Sequence, residues 1–203
     1  MNVLLVGPIK DNVSLDGIKF DSVIAVDKGL ENAINRNLKV DVAIGDFDSL
    51  SDKNILSTIN VVLELNEEKD ESDFECALKY IKNFDGIENV YSIGFMFGNR
   101  IDHMLSNLLL MYKYCDLNIN FIQEKSEIYL LNSGKYNLEN KNHKYISFFS
   151  LDDVNITLGD GFKYKVSNEI INKDHLKFIS NEIIKDTAYI EISDKIIIIK
   201  SND

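Results

Sequence analysis

Aspartates recur in short, spaced groups along the first part of the chain. Asp27 stands alone, and Asp46 and Asp48 fall within Gly45-Asp46-Phe47-Asp48-Ser49. Asp70 and Asp73 fall within Lys69-Asp70-Glu71-Ser72-Asp73, and Asp102 lies between Arg100 and His103. Like charges brought together repel unless a cation neutralises them. Carboxylate oxygens suit a hard divalent ion, and Mg²⁺ commonly takes one or two carboxylates together with substrate phosphates. Arg100 points the same way. The chain uses lysine almost everywhere, and Arg36 is its only other arginine. An arginine beside carboxylates and after the Gly94…Gly98 stretch suits bidentate phosphate binding. Lys28 and Lys69 offer further positive charge. Neither a G-x-x-x-x-G-K-[ST] phosphate loop nor a G-x-G-x-x-G fingerprint occurs, so phosphate handling would rest on metal, carboxylates and Arg100. No Ser/His/Asp or Cys/His spacing asks for nucleophilic catalysis, and His143 and His175 read as surface residues.

These groups need elements that bring them together. Val3–Val6, Ser22–Val26, Val40–Ile44, Val61–Leu65 and Val90–Ile93 are short runs rich in Val, Ile and Leu, and predict strands buried on both faces. Lys28–Arg36, Ser51–Ile59, Asp73–Phe84 and Ile101–Tyr114 predict helices between and after them. In the last, Ile101, Leu105, Leu108 and Tyr112 form an apolar stripe at helical spacing. Alternation of strand and helix predicts an open, mostly parallel α/β sheet. Such sheets bind ligands outside the carboxyl ends of their strands, and four of the groups follow predicted strands.

The pattern changes near residue 125. Glu127–Asn132, Tyr145–Leu151, Asn155–Leu158, Phe162–Val166, Thr187–Ile192 and Lys195–Lys200 predict short strands, separated by turn residues such as Asn132-Ser133-Gly134 and Asp160-Gly161. The expected organisation is an α/β domain over residues 1–125 and a C-terminal antiparallel β-sandwich over residues 126–203, with the boundary in 116–126.

Composition narrows the function further. The 203 residues carry 22 Lys+Arg against 33 Asp+Glu, a formal net charge of −11. A chain this acidic lacks the basic footprint of a nucleic-acid backbone binder or of a binder of anionic membranes. The two cysteines, Cys76 and Cys115, lie in apolar helical patterns and read as free thiols. Met1–Val6 has no basic flank and is too short for a signal peptide or a span, so a cytoplasmic location is expected.

Each acidic group also has a plainer reading. Asp27 could be the N-cap of the helix starting at Lys28, and Asp48 or Ser49 could cap the next. Ser72-x-x-Glu75 is a capping box, which leaves Asp73 in the first turn, three residues from Asp70. Asp102 could stabilise a helix N-terminus, with His103 an ordinary polar helix residue. Joint occurrence at four strand ends weighs for a site; no single member does.

The residues carrying these groups resemble a known family. Val40-Asp41-Val42-Ala43-Ile44-Gly45-Asp46-Phe47-Asp48-Ser49 resembles the strand and GDFDS motif of thiamine pyrophosphokinases. Lys69-Asp70-Glu71-Ser72-Asp73-Phe74-Glu75 is similar to that family's KDxTDxE, and Gly98-Asn99-Arg100-Ile101-Asp102-His103 to its GGRxDH, followed by Ser106-Asn107-Leu108 for A-N-L. Asp27-Lys28-Gly29 looks like its D-G-G. Thr157-x-Gly159, Lys163-Tyr164 and Ser180-Asn181-Glu182 resemble its later T-x-G-x-K-Y/W and S-N-E stretches. Departures are Lys28 for glycine, Asn99 for the second glycine of GGR, Val40 where proline is frequent, and Ile183 where an aromatic is common in a chain without tryptophan.

The resemblance implies a homodimeric enzyme that transfers the pyrophosphoryl group of ATP to the hydroxyl of thiamine, leaving AMP. It implies Asp46, Asp48, Asp70 and Asp73 holding Mg²⁺ and nucleotide phosphates, with Arg100 and Asp102 completing the catalytic site. Asp27, Gly29, Ser49, Lys69 and His103 would join Arg100 around the nucleotide. Ser180 and Asn181 would touch thiamine across the subunit interface, with Tyr164 or Phe178 as the stacking ring. Two other readings stand beside it: a pyrophosphokinase for another hydroxymethyl heterocycle such as a pterin, and a metal- or nucleotide-binding module without catalysis.

Overall fold

The β-branched runs of the first half form six strands, and their apolar residues decide how they assemble. β1 (Asn2–Val6), β2 (Ser22–Val26) and β3 (Val42–Gly45) are buried almost throughout, as strands covered on both faces must be. β4 (Val61–Glu64), β5 (Asn89–Ile93) and β6 (Ile119–Ile122) complete the set. The order is β4-β3-β2-β1-β5-β6, every pair parallel. The computed structural model describes residues 1–66, 68–141 and 143–203, and it divides into two units, Met1–Glu124 and Lys125–Asp203.

Three helices accompany the parallel strands: α1 (Gly29–Asn35), α2 (Asp73–Ile81) and α3 (Ile101–Lys113). Ser72 caps α2, its Oγ accepting from the Glu75 N–H at 3.2 Å. The reciprocal half of the expected capping box does not form. The Glu75 carboxylate accepts instead from Lys113 Nζ at 2.7 Å and Tyr114 Oη at 2.9 Å, tying α2 to the end of α3. The Lys113 hydrogen bond, with Tyr114 beside it, outweighs partial burial and holds the Glu75 carboxyl below its usual value.

Four expectations for this unit are corrected. The segment Ser51–Ile59 is a 3₁₀ helix, Lys53–Thr58, with no buried residue. The Ser57 and Thr58 hydroxyls bond back to the carbonyls of Asn54 and Ile55, and this competes with an α-helical ladder. α3 buries Asn107, Leu110 and Met111, whereas Ile101 and Leu105 of the expected stripe are 70% and 56% exposed. β4, at the sheet edge, leaves Val61 and Val62 exposed. β6 falls inside the stretch read as a boundary; at four residues, entered through Asn118 at φ +47°, it is too short to show a period.

In the second unit β7 (Ser126–Leu131), β13 (Ile196–Ser201) and β9 (Tyr145–Phe149) pair antiparallel. β11 (Val166–Ile171), β10 (Val154–Leu158), β12 (Thr187–Ile192) and β8 (Gly134–Glu139) form a four-stranded antiparallel sheet in that order. Ile146, Phe148, Ile196 and Ile198 from the first set share one core with Ile156, Leu158, Ile171 and Ile190 from the second. This is the expected sandwich. The run Phe162–Val166 is not a strand: Phe162 forms a single bridge to Ile183 with its ring fully buried, and the strand begins at Val166.

The carboxyl ends of the parallel strands approach so closely that only glycine fits. A Cβ on Gly29 would stand 2.0 Å from the Val6 carbonyl oxygen. Gly94, at φ +74°, would place one 2.5 Å from Ile9 O. Gly29, expected among the nucleotide-binding residues, is thus fixed by packing where α1 meets β1. Gly29→Ala is expected to lower stability by about 1–3 kcal/mol, read as a lower urea midpoint at unchanged slope.

Candidate active site

Strand order reverses between β1 and β5, which is where ligands enter open α/β sheets. A cleft of about 430 Å³ opens there, walled by Pro8 and Ile9 after β1, Asp27 after β2, Asp73 at the start of α2, and Gly94, Phe95, Arg100 and His103 after β5. Two side-chain amides, one half-buried and one buried, hold its loops. Asn32 Nδ2 donates to Gly7 O at 2.9 Å, and Asn107 Nδ2 donates to Phe95 O at 2.9 Å.

On one side of the cleft, Asp27, Asp46 and Asp48 each offer a carboxylate oxygen within 4.8 Å of the others. Asp27 is not a helix cap. It sits at φ +51°, and its Oδ2 accepts from Ser49 Oγ at 2.8 Å. Its Oδ1 is buried and has no hydrogen-bond partner. Neither Asp48 nor Ser49 caps the following 3₁₀ helix; Asp52 does. The Asp48 N–H donates to Asp46 Oδ1 at 3.1 Å. The neighbouring Asp46 carboxylate, some desolvation and the Asp27 charge push the Asp48 carboxyl above its ordinary value. An all-oxygen group with one buried, unpartnered acceptor could hold a hard divalent cation.

Phe47 explains how two aspartates come to face the same way. It lies at φ +58°, costly for a bulky residue, and its ring is 1% exposed in the core with Leu4, Val6, Leu30 and Ala43. Burial of the ring fixes the loop, and the flanking carboxylates project away from the core. Sequence reading passed over this residue; a phenylalanine between two acids in a polar loop was the signal.

Asp70 and Asp73 stand outside the three-membered group. Asp70 is exposed. Asp73 pairs with Lys69, Nζ to Oδ1 at 3.1 Å, although the angles fall outside hydrogen-bond geometry and Oδ1 is otherwise unsatisfied. Lys69 Nζ also stands 3.9 Å from Asp46 Oδ2. Burial alone would lower the Lys69 pKa, but the Asp73 and Asp46 carboxylates more than offset it and hold the ammonium above its usual value. Lys69 therefore links Asp73 to the group.

Arg100, Asp102 and His103 lie at the exposed start of α3. The Arg100 fork grips Asp102, Nε to Oδ1 at 3.0 Å and Nη2 to Oδ2 at 2.6 Å. His103 Nε2 lies 4.0 Å from Asp102 Oδ2. The Arg100 fork is thus occupied by a carboxylate of the chain itself. That hydrogen bond, against slight desolvation, lowers the Asp102 pKa to about 2. Positive φ in this loop falls on Phe97 and Gly98, not on Asn99, so replacement of a second glycine by Asn99 leaves the backbone path intact. Lys28 adopts right-handed φ and ψ ahead of α1 and needs no glycine either.

Ser180 and Asn181 are in the second unit. Ser180 is exposed at φ +54°. Asn181 is only 4% exposed. Its Oδ1 accepts from the Tyr164 and Glu182 N–H groups at 3.0 and 2.8 Å, and its Nδ2 donates to Tyr164 O at 2.8 Å. Those bonds make Asn181 a clamp on residues 164 and 182. Phe178 is a core residue at 4% exposure, whereas Tyr164 is 58% exposed and lines a small cavity with Ile179 and Lys177.

Residues 18–123 match the family described as thiamin pyrophosphokinase, catalytic domain. Residues 131–197 match thiamin pyrophosphokinase, vitamin B1 binding domain. The chain is 33% identical over 190 residues to the thiamine pyrophosphokinase of Bacillus subtilis (strain 168), covering 89% of this chain and 87% of that protein. The crystal structure of thiamine pyrophosphokinase from Bacillus subtilis superposes with a TM-score of 0.85 at 26% identity, with 100% of each chain covered. A thiamin pyrophosphokinase family protein from Enterococcus faecalis gives 0.86 at 25% identity, again over 100% of each chain.

The Arg100–Asp102 pair makes a direct prediction. The guanidinium favours the charged carboxylate, so the native pair persists until the pH falls through about 2. In Arg100→Gln the Asp102 carboxyl should titrate near the ordinary value of about 3.9, as followed by carbon NMR of the side-chain carboxyl.

Proposed function

The chain belongs to the thiamine pyrophosphokinase family, and we propose how its residues divide the work of that enzyme. The reaction moves the pyrophosphoryl group of ATP to the hydroxyl of thiamine, giving thiamine diphosphate and AMP. The hydroxyl oxygen attacks the β-phosphorus, the bond from that phosphorus to the oxygen of AMP breaks, and the hydroxyl proton passes to a base. Positioning and charge neutralisation dominate such transfers.

One observation carries the assignment of the nucleotide site: Asp27 belongs both to the acidic group and to the wall of the cleft. Asp27, Asp46 and Asp48 would hold Mg²⁺, and the donor set fits, being all oxygen with Asp27 Oδ1 buried and unpartnered. When bound, Mg²⁺ supplies charge neutralisation at the phosphate oxygens. Ser49 orients Asp27, and Lys69 holds Asp73 beside the group. Asp70 takes a place at the exposed rim. Arg100, with Nη1 outside its pair with Asp102, binds phosphate oxygens beside His103.

Residues 1–124 would thus be the nucleotide unit and residues 125–203 the thiamine unit. Exposed Tyr164 and Ser180 are the thiamine contacts we favour there, with Asn181 shaping the surface beneath them. A homodimer, with the thiamine unit of one subunit completing the cleft of the other, accords with the exposed Ile101, Leu105 and Leu109 along α3. An acidic cleft draws in the cationic thiazolium of thiamine. No described helix is long and apolar enough to cross a membrane, and we place the enzyme in the cytoplasm.

Purified protein given Mg-ATP and thiamine is expected to yield AMP and thiamine diphosphate by chromatography. ADP as the product, or equal turnover of a hydroxymethylpterin, would sink the reading. Asp46→Asn should lower kcat at least about a hundredfold with an unchanged circular dichroism spectrum; near-normal turnover would remove Asp46 from the site.

A further inference from the structure

The loop that carries Asp46 and Asp48 is held at its far end by a residue outside every motif discussed above. Glu31, in the first turn of α1, reaches across to residue 51. Its Oε1 accepts from the Ser51 backbone N–H at 2.5 Å, and its Oε2 lies 3.5 Å from Ser51 Oγ. Four residues earlier, Asp27 accepts from Ser49 Oγ at 2.8 Å. Two carboxylates from the β2–α1 junction therefore grip the same loop, one at position 49 and one at 51. Phe47 is anchored in the core just before them.

The two grips differ in chemistry. Asp27 keeps one oxygen free for the acidic group, whereas Glu31 spends its charge on a backbone N–H and is not a member of that group. After Leu50 the chain is solvent-facing for four residues: Ser51, Asp52, Lys53 and Asn54 are exposed. Without Glu31, the stretch from Asp48 to Lys53 would keep the Ser49 hydroxyl and the Leu50 side chain, together with bonds inside the loop itself, Asp48 N–H to Asp46 Oδ1 and Leu50 N–H to Phe47 O. Three carboxylates within 4.8 Å repel, so a loosened loop would swing Asp48 away from Asp27.

We propose that Glu31 is a positioning residue that holds the Asp46–Ser51 loop in the geometry in which Asp27, Asp46 and Asp48 can share one divalent cation. This rests on the proposed metal reading of those three aspartates. The hydrogen bond carries the role, so an uncharged acceptor of the same length should serve.

The experiment uses the full chain with Mn²⁺ as the probe, its binding followed by electron paramagnetic resonance, alongside hydrogen–deuterium exchange of the peptide spanning 46–51. Glu31→Ala is expected to weaken Mn²⁺ binding about tenfold and to speed exchange in that peptide, with exchange in β10 and β12 unchanged. Glu31→Gln should restore both, and Ser51→Ala should match wild type because the N–H remains. A Glu31→Ala protein that binds Mn²⁺ as tightly as wild type overturns the proposal, and so does a Glu31→Gln protein as impaired as the alanine variant, which would make the charge the operative feature. Should Glu31→Ala not fold, Glu31→Asp, one methylene too short to reach residue 51, takes its place with the same expected losses. Wild-type protein that fails to bind Mn²⁺ at all removes the metal reading itself, and this inference with it.

Discussion

Asp27, Asp46 and Asp48 are held with carboxylate oxygens within 4.8 Å of one another, and nothing in their own chemistry favours that arrangement. Mutual repulsion pushes them apart, and the neighbouring Asp46 and Asp27 charges, with some desolvation, hold the Asp48 carboxyl above its ordinary value. The loop can persist only because other contacts overrule it. Phe47 accepts a left-handed backbone so that its ring can be buried. Ser49 ties the loop to Asp27, Glu31 ties it to α1, and Lys69 brings a positive charge to Asp46 and Asp73. Strain of this kind survives where the surroundings over-determine it, and it gathers at functional sites.

Those contacts depend in turn on how closely the strand ends approach. β2 and β3 pair in parallel, so the residues after Val26 and Gly45 emerge on the same edge. α1 can begin directly above Val6 because Gly29 has no side chain. That places Glu31 in the first turn of the helix, within hydrogen-bond reach of Ser51. A helix displaced by a side chain at position 29 would carry Glu31 with it. The packing glycine and the acidic loop are therefore parts of one arrangement.

Much of this was legible in the sequence. Short Val/Ile/Leu runs alternating with helical patterns specify a parallel sheet, and a parallel sheet sends the groups after β2, β3 and β5 to one edge. The site itself was less legible. Asp27 reads as a helix cap because type and position fit that role; only the path of the backbone shows its carboxylate turned toward Ser49. Asp70 and Asp73 sit at spacing three, and the pairing of Lys69 with Asp73 beside them is a choice among neighbours that spacing cannot make. The stripe on α3 misled for a related reason. Apolar residues at helical spacing mark a face but not which face is buried, and here Asn107, Leu110 and Met111 take that place. Asn181 carries a related lesson: its type does not show that its Oδ1 and one Nδ2–H bond the backbone of Tyr164 and Glu182.

The charged groups at and beside the cleft differ in how they are held. Asp27, Asp46 and Lys69 are partly buried and fixed by neighbours, and Asp48 is exposed but its backbone is tied to Asp46, whereas Arg100, Asp102 and His103 have side chains 66%, 61% and 59% exposed. On the proposed reading this division suits the chemistry. A cation with strict geometric demands requires ligands that do not relax. A phosphate chain that arrives and leaves requires a guanidinium that can change partners at little expense. Asp102 meets that need by occupying Arg100 in water, where an ion pair is weak, so phosphate oxygens can compete for the fork. The strong constraint lies on a loop locked to Asp27 and to α1, and the weak one at the exposed start of α3.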